Sequence, residues 1–161
     1  MDRLIDAATA SFMLGGLSLN LASCDPRLQP SLARACGCDL DADGGRLSIC
    51  VGRVQGAQVL GDIVAGAAVA AVFSEVVSHR TLQIKASSAV VRAPTRADHA
   101  AVDRYLERFA TRLDAIGFTP RFVSALFSFD AGDFMVVEMR PEEIYSQTPG
   151  PGAGQRLQAA A

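Results

Sequence analysis

Apolar and polar side chains alternate over short stretches of this chain, and only a few runs change to the longer period of a helix. In G-G-L-S-L-N-L-A-S-C (15–24), Leu17, Leu19 and Leu21 alternate with Ser18, Asn20 and Ala22, the two-residue period of a strand with one buried face. Asp25-Pro26 ends it. S-L-A-R-A-C-G-C-D-L (31–40) and R-L-S-I-C-V (46–51) flank D-A-D-G-G, which predicts two strands around a glycine-bearing hairpin turn. A-A-V-A-A-V-F (67–73) is a continuous apolar strand, R-T-L-Q-I-K-A (80–86) another, and F-M-V-V-E-M-R (134–140) the last.

Helical spacing is found at four places. Residues 2–11 fit a short helix, and Val54, Ala57, Leu60, Ile63 and Val64 recur on one face before Gly66. Thr95, with Asp98 three residues on, caps a long helix whose stripe is Val102, Leu106, Phe109, Leu113 and Ile116, ending at Gly117. Thr119-Pro120 starts a shorter one carrying Phe122, Val123, Leu126 and Phe127. The order of strand, hairpin, helix, two strands, two helices and strand predicts a mainly β, α+β architecture. Its six strands form an antiparallel barrel with helices packed outside. A parallel doubly wound sheet needs a helix after nearly every strand. Residues 1–148 read as one domain, and P-G-P-G-A-G opens a flexible Pro/Gly/Ala tail over 149–161.

Composition narrows the partners. The 161 residues are 50% hydrophobic and 20% charged, with 17 acidic against 15 basic side chains and a formal charge of −2. The arginines are scattered, so the concentrated positive field that nucleic acid or an anionic membrane requires is not expected. No apolar run reaches the roughly 18 residues of a membrane span, and no secretory leader pattern follows Met1. A soluble, cytoplasmic protein with reduced thiols is the expectation. Cys36 and Cys38 lie in C-G-C without the paired C-x-x-C knuckles of structural zinc, so small buried thiols are expected and no metal site. If Leu40 pairs with Arg46, Cys36 falls opposite Cys50; a slip of one residue puts Gly37 there. His99 and the charged residues Asp103, Arg104, Glu107, Arg108, Arg112 and Asp114 read as the solvated side of the long helix.

The stretch S-H-R-T-L-Q-I-K-A-S (78–87) is unusual because it holds Lys85, the chain's single lysine, and His79, one of its two histidines. On a strand, His79, Thr81, Gln83 and Lys85 share one face and Leu82, Ile84 and Ala86 the other. The polar row is either the solvated face of an edge strand or a wall that hydrogen-bonds a polar, anionic ligand.

These residues and their order resemble the pyridoxamine 5'-phosphate oxidase-like flavin-binding split barrels. R-T-L-Q-I-K-A fits that family's flavin-side strand, with Arg80 at its head and Ala86 where glycine is usual. P-S-L-A-R-A-C makes Arg34 the counterpart of the family's phosphate arginine, at one residue's greater spacing, and G-R-V-Q (52–55) makes Arg53 a second candidate. The resemblance spans about residues 12–140. It implies a homodimer with FMN in clefts at the subunit interface; haem and a deazaflavin are the alternatives. Arg34 and Arg53 would hold the phosphate, and His79, Arg80, Thr81, Gln83 and Lys85 would line the rest. Gln147, at the start of the tail, would fold back over the ligand. A positive mean hydropathy of +0.23 accords with a large apolar interface. The implied activity is a flavin-dependent oxidoreductase fed by a nicotinamide cofactor or another small reductant; the rival is a non-catalytic flavin or haem carrier. The oxidases' tryptophan- and arginine-rich C-terminal segment has no counterpart in this chain, which lacks tryptophan. Vitamin B6 oxidation is therefore not expected, and no catalytic acid–base pair is named.

Overall fold

The computed structural model describes residues 4–128 and 133–157. A short helix, α1 (Ala7–Met13), is capped by the Asp6 carboxylate, which accepts from the Thr9 N–H. It begins five residues later than the apolar spacing predicts, because Asp6 supplies the N-cap. The chain then passes Gly16, whose φ of +72° and close approach to Arg108 leave no room for a Cβ. β1 (Ser18–Cys24), β2 (Pro30–Leu40) and β3 (Leu47–Gly52) follow, then α2 (Ala57–Val64), β4 (Val69–Ser74), β5 (Thr81–Ala86) and β6 (Ala89–Arg92). The long helix α3 (Arg96–Asp114) and the short α4 (Pro120–Leu126) precede β7 (Phe134–Met139), β8 (Glu143–Ser146) and β9 (Gln155–Arg156).

All the strand pairs are antiparallel, and they join in one sheet of order β6-β7-β3-β2-β1-β4-β5-β8-β9. Among the described residues the half-barrel has nine strands and not the six expected. The three additional strands are β6, β8 and β9, of two to four residues each. β6 follows β5 after a bend at Ser87-Ser88, and β8 and β9 carry Glu143 and Arg156 in place of an apolar alternation. Residues 149–154, expected in the tail, turn back so that Gln155–Arg156 pairs with β8.

The hairpin adopts the slipped register: Leu40 pairs with Leu47 and Gly37 with Cys50, with a bulge between Ala35 and Gly37. The bulge puts Cys36, Gly37 and Cys38 all in the interior. A Cβ on Gly37 would lie 3.0 Å from the Cα of Val102, so glycine is what lets α3 lie against β2. Inside the half-barrel sit Leu19, Leu21, Leu47, Ile49, Phe73, Ile84 and Met139. Cys36 and Cys50 pack with Val102, Phe134 and Val136 in a second cluster under α3.

The long helix differs from expectation on its polar side. His99 is half-buried and meets Phe134 edge-on at 4.9 Å. Arg108 donates to the Leu14 carbonyl at 2.6 Å, and Arg112 to the Gly15 carbonyl and the Glu75 carboxylate. These arginines tie α3 to the end of α1, because the helix C-terminal half crosses the exposed carbonyls there.

Candidate functional site

Burial alternates strictly along β1, β4 and β5, so each strand sends one side chain in two to the outside of the sheet. Register aligns these outward residues in rows. Arg34, Asn20, Val72, Gln83 and Tyr145 form one cross-strand row. Leu32, Ala22, Ala70, Lys85 and Glu143 form the next. Ser18, Ser74 and Thr81 form a third, extended by Gln147, whose N–H donates to the Thr81 carbonyl. Arg34 and Gln83 stand three strands apart, about 14 Å at the usual interstrand spacing.

Five of the eight residues singled out in the sequence therefore share this face: Arg34, Thr81, Gln83, Lys85 and Gln147. The Arg34 guanidinium is exposed, and its hydrogen bond is to the Ser18 hydroxyl at 3.3 Å. Gln147 donates to the Gln83 side chain at 3.1 Å. The Thr81 hydroxyl contacts the Ser74 hydroxyl and the His79 carbonyl, each at 3.0 Å, and its N–H donates to Thr148. The turn after β8 is thus docked on β5 through Gln147 and Thr148.

Arg53 comes to the same end of the β2–β3 pair as Arg34, since Val51 is the partner of Ala35. Its side chain is already engaged: Nε donates to the Asp133 carboxylate at 3.1 Å, and its backbone N–H to the Asp133 carbonyl. α2 begins four residues on, with Gly56 as N-cap and no side chain capping its free N–H groups.

His79 and Arg80 lie apart from the wall. β5 starts at Thr81, and His79 sits in the β4–β5 turn with a left-handed backbone, φ +59°. The Glu75 carboxylate organises that turn by accepting from the N–H groups of Val77 and Ser78. Those bonds, the Ser78 N–H first, with Arg112 nearby, hold the Glu75 carboxyl at about 2, well below the ordinary 4.5. The Arg80 guanidinium stacks over Phe12 of α1, 4.1 Å from the ring centre.

A cleft of about 460 Å³ opens where the second row meets the ends of β4 and β5. Ala22, Ala70 and Lys85 line it, with Ser87, Glu142 and Glu143 at its rim. The Glu142 carboxylate accepts from both the N–H and the hydroxyl of Ser87. Glu143 accepts from the Tyr145 hydroxyl at 3.0 Å and pairs with Arg156 of β9 at 3.3 Å. That bond raises the Tyr145 phenol above its ordinary value, since it stabilises the protonated form. Tyr145, Glu143 and Arg156 lie outside the motifs visible in the sequence; only the pairing of β8 and β9 brings them to the wall.

No family model matches the chain, and no curated protein does. Solved structures do. A candidate pyridoxamine 5'-phosphate oxidase from Lactobacillus delbrueckii superposes with a TM-score of 0.54 at 18% identity, covering 90% of this chain and 99% of the other. An F420 reductase superposes at 0.52 and 20% identity, over 83% and 93% of the two chains. HutZ, a haem storage protein from Vibrio cholerae, superposes at 0.53 and 15% identity, over 88% and 94%. The chain has the pyridoxamine 5'-phosphate oxidase-like split-barrel fold. In this split barrel the polar wall of β5 and the Arg34 end of β2 lie on the outer side of the sheet, away from the buried Leu82, Ile84 and Ala86. No helix among the described residues is long and apolar enough to cross a membrane.

Proposed function

We propose that this split barrel binds FMN along the outer face of its sheet, as a homodimer, and works as a flavin-dependent oxidoreductase. The observation that carries the reading is the outward row that runs from Arg34 to Gln83. A cationic end is separated by about 14 Å from a hydrogen-bonding end, with Asn20 and Val72 between them along the row. The donor set fits the group. The Arg34 guanidinium, whose hydrogen bond among the described residues is to a hydroxyl, can grip a phosphate with charge-assisted hydrogen bonds. Arg53 and the uncapped start of α2 add positive potential at the same end. Thr81, Gln83 and Gln147 offer hydroxyl and amide groups to a ring and its side chain, and Lys85 borders it. Bound FMN supplies the two-electron redox chemistry itself, so the wall need only bind, orient and bias charge. That proteins of this fold include a candidate oxidase, an F420 reductase and a haem storage protein supports a bound redox cofactor.

The test is a visible absorption spectrum of the purified protein, repeated after FMN has been added and the protein desalted. About one flavin retained per chain is the expected result. A Soret band, or retention of a deazaflavin but not FMN, would replace FMN by that group. In the same assay Arg34→Ala should weaken FMN binding about ten- to a hundredfold, the loss of one charged hydrogen bond. An unchanged affinity would remove Arg34 from the phosphate site. Reduction of the bound flavin by NADH or NADPH, with turnover on an acceptor, separates the enzyme from a carrier.

A further inference from the structure

The cleft beside Lys85 has a charge balance that the flavin reading leaves unused. In the row Ala22–Ala70–Lys85, three adjacent strands present a methyl, a methyl and an ammonium to the same side. The floor is therefore flat and apolar, a surface on which a planar ring makes full contact. The volume of about 460 Å³ lies in the range of small-molecule sites.

The charged groups at the rim are unequally satisfied. Glu142 is held by Ser87, and Glu143 by Tyr145 and Arg156. Lys85 rests its ammonium over the Tyr145 ring, 4.7 Å from the centre. Among the described residues it has no hydrogen-bond acceptor and no carboxylate in ion-pair range. Every acid of the cleft has a partner and its one base lacks an anion. With Glu143 paired to Arg156, the Lys85 ammonium balances the charge of Glu142 and is, among the described residues, the one cation of the cleft that can turn to a ligand. A monoanion therefore meets one ammonium, whereas a dianion such as a phosphate adds a second, unmatched charge. The Arg34 end, three strands away, is where a phosphate is favoured instead.

We infer that the Lys85 cleft is a second ligand site, which binds a small planar aromatic carboxylate separately from the flavin. The carboxylate meets the Lys85 ammonium and the ring lies on Ala22 and Ala70. Any ring N–H groups face the remaining lone pairs of Glu142 and Glu143. Lys85 has three N–H donors, so it can hold this anion while bordering the flavin wall.

The test uses the full chain in its native oligomeric state, titrated with benzoate, and with benzamide as the uncharged control, followed by backbone amide NMR. Saturable shifts at Ala22, Ala70 and Lys85 are expected. Benzamide and Lys85→Met should each weaken binding about tenfold or more, as one charged hydrogen bond requires. Lys85→Arg should recover most of the loss, which excludes a merely structural effect of the substitution. Arg34→Ala should leave benzoate binding unchanged. Protein loaded with FMN should bind benzoate with the same affinity. Displacement of benzoate by FMN, equal binding of benzoate and benzamide, shifts confined to other surfaces, or no saturable binding would each overturn the inference. Because the benzoate arm is read on the apo-protein as well, failure to retain FMN leaves this result standing on its own.

Discussion

The four cysteines sort themselves by the position of single residues. Burial pushes the Cys36 and Cys38 thiols up to about 12 and raises that of Cys50 as well, because it removes the water that would solvate a thiolate. Cys24, at the outward end of β1, is half-buried. The thiolate is the reactive form, so an aromatic disulfide reagent should modify one thiol per chain quickly and the other three only as the protein unfolds. Peptide mapping should place the fast label on Cys24, and fast labelling of Cys36 or Cys50 would show that the α3–β2 contact opens readily. The sequence made these cysteines legible as small buried thiols, but the register of Cys36 was open to either choice. A bulge is decided by what packs on it, here Val102 over Gly37, and that contact joins residues 65 positions apart. The same limit applies at Lys85. Alternation along one strand put it on a polar face, whereas the partners that leave it unpaired come from β8 and β9.

At the scale of elements, α3 is anchored at both ends by carboxylates held as anions. At its start the Asp98 carboxylate accepts from the Thr95 N–H and hydroxyl, and takes both terminal nitrogens of Arg92, at 2.7 and 3.1 Å. Arg92 also donates to Glu138 of β7, which couples the helix to the sheet edge. The Arg92 bonds first, then those from Thr95, hold the Asp98 carboxyl at about 2, below the ordinary 3.8, and Arg92 is correspondingly raised. At the far end Arg112 joins the Glu75 carboxylate, also at about 2. Both folded-state values are depressed, so this stability is fully present above the unfolded-state values near 4 and is lost as pH falls towards 2. The midpoint of urea unfolding should therefore be flat from neutrality to about pH 5 and then fall. Asp98→Asn should cost on the order of 2–4 kcal/mol at pH 7, because Arg92 is left without its closest anion. The variant's unfolding midpoint should also fall less steeply below pH 4 than the wild type's; an identical slope would mean that Asp98 is not a titrating group that matters. The Thr95–Asp98 capping box was visible in the sequence as spacing. The Arg92 clasp was not, because β6 is too short and too polar to announce itself as a strand.

For the whole molecule, the question is what covers the outer face of the sheet. Leu32 stands on it with 68% of its surface exposed, between Arg34 and Pro30 of β2. Val54, in the turn before α2, and Ala57, Gly61 and Val64 along the helix are also exposed, with Val64 at 72%. An isolated exposed leucine needs no explanation, but Leu32 shares its cross-strand row with Ala22, Ala70 and Lys85, and an apolar strip of that kind is a candidate interaction surface. The sequence pattern identified the barrel class and the polar wall, since both follow from alternation within single strands. It left the exposed apolar face unassigned, because two-sided strands look alike in sequence whether the second side meets solvent or another chain. If that side meets a second copy, Leu32→Asp places a charge in the contact and should convert the dimer to a monomer, read by light scattering at micromolar concentration. The substitution is on the outer side of β2, so the fold and the urea midpoint should change little. Flavin binding should fall with the dimer if each FMN takes contacts from both chains. A Leu32→Asp monomer that still retains one FMN would show that the Arg34-to-Gln83 row of a single chain is sufficient. A wild-type protein that is already monomeric would mean that the apolar face serves another partner. The two measurements together therefore separate the cofactor reading from the dimer reading, which rest on the same face of the sheet but on different residues of it.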